Sequence, residues 1–274
     1  MNKLLITLLF VVVNSCNNAI SAIASEQAEP RSTHLCQEMS PYNLPQLTNP
    51  NSVSICRKAY IILEDLYAKI PIWVVYTLTP EHALGCLIRI NSFTPDLSLP
   101  KGQRSELADY AHSGYDTGHM ANDADMNWDP TAQAESFILS NMTPQTALLN
   151  RGSWKVLETA VRSWVFNTNH SLTIYAGSIY EIATDKKIGP NSVTVPHAFY
   201  KIVIDNTIKQ TLAFIFYQDS VGKDLTKFQV SVTDVEKETG ITFFVPDDKK
   251  IKHIVWPIDV KERAQAKKSV CSIK

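Results

Sequence analysis

Asp116-Thr117-Gly118-His119-Met120, Ser140-Asn141-Met142-Thr143-Pro144-Gln145 and Asn150-Arg151-Gly152-Ser153-Trp154 follow one another in the stretch from Tyr115 to Arg162, which closes on Glu158 and Arg162. One histidine, several carboxamides, a carboxylate and an arginine thus fall close together. From Asn150 to Val165, Trp154, Leu157, Val161 and Trp164 recur at spacings of three and four, which predicts an amphipathic helix. Glu158 and Arg162 are four apart and share a face of that helix. Asn150 and Glu158 are eight apart, a little over two turns, and lie on nearly the same side. The segment before His119 reads as a strand. A strand that delivers a histidine against the first turns of a helix brings a base and a metal ligand together. Trp154 and Trp164 read as core residues of the helix.

Outward from this stretch, runs rich in Val, Ile, Tyr and Phe and bounded by turn residues predict strands over 59–63, 72–78, 172–176, 199–204 and 210–216, with 241–245 as a short further candidate. A second, short helix is expected over 233–239. It would open on a capping box at Thr233-Asp234-Val235-Glu236 and stop at Gly240. Strands outnumber helices and do not alternate with them, so the expected fold is α+β, a central antiparallel sheet with flanking helices, rather than a doubly wound parallel sheet.

The first 24 residues stand apart. Lys3 precedes an apolar run of about ten residues, Leu4 to Val13, and Ala22-Ile23-Ala24 is a small-x-small cleavage signature before Ser25. The run is too short to span a bilayer, and a secretory signal peptide is expected over 1–24. Cys16 leaves a lipid anchor open as an alternative, although Asn14 suits that reading poorly. The remaining chain, 25–274, reads as one domain with a polar lead-in over about 25–51. An exported protein would be secreted or periplasmic. Four cysteines remain in the mature part, Cys36, Cys56, Cys86 and Cys271, and predict two disulfides. Three pairings are possible. Proximity favours Cys36 with Cys56, which leaves Cys86 for Cys271. A net charge of −1 gives no sign of a generally basic nucleic-acid-binding surface. It leaves room for a local basic groove.

The three motifs resemble the DNA/RNA non-specific endonuclease family, whose core is a ββα-metal finger. The likeness extends to Ser54–Tyr60, Trp73–Tyr76, Pro196–Lys201 and Phe228–Gly240. It implies His119 as the general base and Asn150 as the direct protein ligand to Mg2+, with Mn2+ able to substitute. It implies Glu158 as a holder of metal-bound water, Arg89 and Arg162 as arginines at the phosphate, and Asn141 and Gln145 as support; Asp116 reads as site support that orients the loop or His119. The activity it implies is endonucleolytic hydrolysis of DNA and RNA, leaving 5′-phosphates. Some relatives are dimers, which leaves a homodimer open. The chemistry suits the residues. Histidine accepts a proton near neutral pH, Mg2+ keeps several waters and needs few protein ligands, and arginine matches phosphate geometry.

One departure is plain: the family pattern has arginine where this chain has Thr117. The competing readings are a non-catalytic nucleic-acid-binding module and a phosphodiesterase for smaller substrates. Each residue also has a plainer role available. Asn150 would serve as a helix N-cap, Glu158 and Arg162 as an exposed ion pair, and Arg89 as a solvated cation. Asp123, Asp125 and Asp129 lack the pattern of a calcium loop and read as a solvated loop.

Overall fold

The computed structural model describes residues 40–251 and 260–272. Eleven strands are formed within them: β1 (Ser52–Cys56), β2 (Ile61–Asp65), β3 (Ile70–Leu78), β4 (Asp116–His119), β5 (Met142–Gln145), β6 (Leu172–Ile179), β7 (Lys187–Ile188), β8 (Val193–Thr194), β9 (Ala198–Asp205), β10 (Gln210–Tyr217) and β11 (Gln229–Val230). The α-helices are α1 (Leu107–Tyr110), α2 (Asp123–Met126), α3 (Pro130–Ser136), α4 (Ala147–Asn150), α5 (Ser153–Thr168), α6 (Val232–Thr239) and α7 (Val260–Ser272). Seven strands pair in the order β1-β2-β3-β6-β9-β10-β11, each antiparallel to its neighbour. The expected α+β architecture is therefore the observed one.

Successive residues of a strand point to opposite faces, and the apolar runs use both. On β3, Val74, Tyr76 and Leu78 join one core cluster with Trp154, Leu157, Val161 and Trp164 of α5. Trp73 and Val75 join a second with Val232 and Val235 of α6. Being covered on both sides explains why these strands read as unbroken apolar runs rather than as alternating ones.

Several expectations need correction. The segment 241–245 adds no strand. Thr242 makes an isolated bridge with Gln46, while Ile241 and Phe243 plug the second core cluster. The helix expected from Asn150 is two helices, because Asn150 ends α4 and α5 starts at Ser153. Gly152 makes the break possible, since a Cβ there would stand 2.2 Å from the Leu148 carbonyl oxygen. Asn150 is not an N-cap; Thr146 caps α4 and Gly152 occupies that position in α5. The capping box of α6 is formed by Ser231 and Asp234, not by Thr233, whereas Gly240 ends the helix in the left-handed region with φ 70°.

Cys86 and Cys271 are joined, with 5.4 Å between their Cα atoms. The bond ties α7 to the segment that leads into Arg89. α7 buries no side chain. It lies against α5 and the turn His82–Leu84, where the Arg263 guanidinium donates to the Ala83 carbonyl at 3.4 Å and Glu262 accepts from Asn167 at 3.1 Å. Cys56 is also disulfide-bonded, but its expected partner Cys36 lies outside the described residues. So do the expected signal peptide and Cys16. No helix among the described residues is long and apolar enough to cross a membrane.

Candidate active site

β4 and β5 form a small separate hairpin-like sheet, with His119 opposite Met142, Gly118 opposite Thr143 and Asp116 opposite Gln145. α2 and α3 lie between its two strands in sequence, and α4 and α5 follow it, which gives a ββα arrangement. Asn141 fixes the backbone just beyond His119. Its fully buried carboxamide accepts from Ala121 N and donates to the Ala121 and Ser136 carbonyls, all at 2.8 Å. Gln145 is likewise buried and packs across Gly118, where a Cβ would stand 2.2 Å from Gln145 Oε1. A residue larger than glycine at 118 would therefore displace Gln145.

His119 is 6% exposed. Its ring meets Phe137 edge-on at 5.0 Å between centroids and Phe93 at 5.7 Å. Burial, reinforced by the positive charge of Arg89, pulls its pKa down to about 3, so the imidazole is neutral over the physiological range. Nε2 has no hydrogen-bond partner, and neither have both amide atoms of Gln145 and Thr143 Oγ1. Unpaired buried polar atoms are rare and call for a partner. By the register of the two strands His119 lies on the opposite face of this small sheet from Thr143 and Gln145, so its Nε2 is an open atom on its own face.

Asp116 joins the strand to the helices. Its Oδ2 accepts from Asn150 Nδ2 at 2.9 Å and from Arg151 Nε at 2.8 Å, and Oδ1 accepts from Arg151 Nη2 at 2.6 Å. These bonds, those to Arg151 foremost, hold the carboxyl below the usual carboxylate range. The Asn150 amide nitrogen is thereby committed to Asp116, and the carbonyl oxygen is left as the open atom of that side chain. Among the described residues no group of three or more His, Cys, Asp or Glu can hold a metal ion. The donor present at this site is one hard carboxamide oxygen, which would leave the other positions of a bound ion to water. That set fits Mg2+, which dehydrates reluctantly and keeps most of its waters.

Behind the site lies a buried charge network. Lys201 Nζ on β9 is 3.9 Å from Glu158 Oε1 and 4.3 Å from the centroid of Trp154. Arg162 Nη1 donates to Asp125 Oδ1 at 2.7 Å, and the Tyr76 hydroxyl donates to Asp125 Oδ2 at 2.7 Å. Burial pushes the Glu158 carboxyl up and the Lys201 ammonium down, each countered by the other. Burial also opposes charge on Arg162, but Asp125 and Glu158 outweigh it and hold the guanidinium protonated. Glu158 and Arg162 are thus buried rather than exposed, and although their charges attract, each has its ion pair elsewhere: Glu158 with Lys201 and Arg162 with Asp125.

Arg89 is half-exposed. Its Nη1 lies 3.4 Å from Asp123 Oδ2, and the guanidinium carbon is 4.9 Å from the centroid of Phe137. The solvated-loop reading of the three aspartates is corrected. Asp123 and Asp125 are buried partners of Arg89 and Arg162, and Asp129 caps α3 through bonds from Thr131 N and Ala132 N. Sequence reasoning gave no role to Lys201, Arg151 or Asp125. Lys201 carried a signal, as the one cation inside the apolar run 198–204.

Comparison with known proteins agrees with this geometry. Residues 40–249 match the profile of the DNA/RNA non-specific endonuclease family. The chain is 30% identical over 225 residues to human mitochondrial endonuclease G, covering 77% of this chain and 74% of that protein. It is 33% identical over 206 residues to Nuclease C1 of Cunninghamella echinulata var. echinulata, covering 69% of this chain and 81% of that one. It is 29% identical to human mitochondrial nuclease EXOG over 69% of this chain, but spans 56% of that relative's length. A solved structure of endonuclease G in complex with EndoGI superposes with a TM-score of 0.66 at 28% identity, covering 71% of this chain and 86% of that one. Residues 40–249 take in both the ββα arrangement and the network behind it, and on that match the chain belongs to the DNA/RNA non-specific endonuclease family.

Proposed function

We propose that this protein is an exported, Mg2+-dependent endonuclease that hydrolyses phosphodiester bonds in DNA and RNA and leaves 5′-phosphate ends. The observation that carries the reading is His119: neutral, packed against Phe137 and Phe93, and with a buried Nε2 that has no partner. A general base must be deprotonated at the working pH and must have an open lone pair. His119 meets both conditions and takes the proton of the attacking water. Asn150 is the residue that would hold the divalent cation through its carbonyl oxygen, fixed by the bond of its amide to Asp116. The ion, when bound, supplies charge stabilisation at the phosphate. Arg89 is exposed enough to meet a phosphate and is oriented by Asp123 and Phe137. Arg162 acts instead as a positioning residue, because its guanidinium is committed to Asp125 and is buried. Glu158 supports the site from the same buried side. The Cys86–Cys271 bond supports export, since such bonds persist in oxidising compartments.

The test is incubation of the purified protein with plasmid and with RNA, in Mg2+ and in EDTA, beside His119→Ala. Cleavage in Mg2+ alone, lost in the variant while its circular dichroism is unchanged, is the expected result. Near-normal cleavage by His119→Ala sinks the assignment. Retention of nucleic acid without cleavage under any divalent metal would make the chain a binding module.

A further inference from the structure

We infer that Arg151 supplies the phosphate-binding positive charge that the family pattern places at position 117 and that this chain lacks. The inference rests on the nuclease reading above and concerns how that site grips its substrate. The backbone sets up the placement. α4 ends at Asn150, and Gly152 allows the bend that no residue with a Cβ would permit without displacing the Leu148 carbonyl. Arg151 stands between them and turns its guanidinium onto Asp116 through two bonds of 2.8 and 2.6 Å. Asp116 is the neighbour of Thr117 in sequence and the hydrogen-bond partner of Asn150. The guanidinium is therefore fixed on the carboxylate that also holds the candidate metal ligand, one residue before the motif position that lacks arginine.

Its chemistry fits a phosphate. A guanidinium carries five N–H donors. Two are used on Asp116, which leaves three, on a side chain that is 72% exposed. The two-point bond preorganises the fork, so little freedom remains to be lost when an anion binds. Charge balance points the same way. Arg151 is the cation paired with the Asp116 carboxylate, which without it would confront an approaching phosphate as an unpaired negative charge. Arg151 restores the neutral aspartate–arginine unit from the helix side rather than from the strand.

The experiment compares wild type, Arg151→Gln and the double variant Thr117→Arg/Arg151→Gln on a duplex oligonucleotide in Mg2+, across a salt series. Arg151→Gln is expected to lose about tenfold or more in kcat/KM. Its dependence of log KM on log salt should be shallower by about one phosphate contact's share, roughly 0.9. Thr117→Arg in the same chain should restore both. A merely structural role for Arg151 would change neither the salt slope nor respond to an arginine at 117. A kcat/KM for Arg151→Gln within about twofold of wild type, or a loss that Thr117→Arg does not recover, overturns the inference and leaves the nuclease reading standing. Absence of cleavage by the wild type overturns both.

Discussion

Arg89 and His119 stand against the same phenyl ring. The guanidinium carbon of Arg89 lies 4.9 Å from the centroid of Phe137, and the imidazole of His119 lies 5.0 Å from it, edge-on. The segment that carries Arg89 is held to this ring's own backbone, since Thr94 N donates to the Phe137 carbonyl at 3.2 Å and Leu139 N to the Thr94 carbonyl at 2.9 Å. The proposed phosphate cation and the proposed base are thus both set by one ring. Phe137→Leu keeps the site apolar but loosens both contacts. Its expected stability cost is about 1–2 kcal/mol, while kcat/KM falls at least tenfold because small misplacements of reacting groups cost that much or more. Parallel urea melts and steady-state cleavage would check this. A stability loss with kinetics unchanged would assign the ring to packing alone.

The depressed pKa of His119 gives stability a pH dependence with a definite sign. The unfolded chain takes up this proton at about pH 6.5, the folded chain only near 3. Between those values the unfolded state binds more protons, so stability is lost as pH falls. The contribution is full above about pH 6.5 and declines toward pH 3, by an amount on the order of a few kcal/mol. Urea midpoints of wild type and His119→Asn at pH 7 and pH 4.5 would test it. The variant should lose less on acidification than the wild type, and equal losses would contradict the assignment.

Glu158 and Lys201 should be costly to break and cheap to replace together. Each is almost fully buried, and removing either deprives the other of its ion-pair partner. Lys201→Met is therefore expected to destabilise by about 3–5 kcal/mol. Glu158→Gln/Lys201→Met should recover much of that loss in a denaturant melt. The double variant should still cleave poorly, which separates the network's part in the site from its part in the fold.

Loss of the Cys86–Cys271 bond should act on stability and on the site at once. The bond separates its cysteines by 185 positions in sequence, and removing a bridge of this kind costs about 2–5 kcal/mol. α7 has no buried side chain of its own to hold it in place. The Cys86→Ser/Cys271→Ser variant should therefore show early proteolysis within 260–272, a lower melting temperature and a raised KM through the segment of Arg89. A variant as resistant to proteolysis as the wild type would show that α7 is held without the bond.

Much of the architecture was legible because the central strands are long apolar runs and α5 has a strict spacing of Trp154, Leu157, Val161 and Trp164. β4 and β5 were harder to see. They are four residues each and carry Gly118 and Pro144, which strand propensity disfavours. The placement of His119 on a strand and Asn150 on a helix was readable, but the break at Gly152 was not. Periodicity tracks which residues face the core, and Trp154 onward keeps its phase whether or not Asn150 belongs to the same helix. Pairing was least legible. Glu158 and Arg162 satisfy the i,i+4 rule, yet their partners Lys201 and Asp125 come from a distant strand and another helix, and only the folded chain decides between a neighbour on the helix and one across the core.

The covalent bond between residues 86 and 271 has a topological consequence. Arg89, Asp116, His119, Asn150, Arg151, Glu158, Arg162 and Lys201 all lie inside the ring it closes. A single proteolytic nick anywhere between those two cysteines opens the ring but releases no fragment, and the two-sided core still holds the pieces in register. A molecule built this way keeps its reacting groups assembled after a first cut, and loses them only when a second cut falls within the same ring.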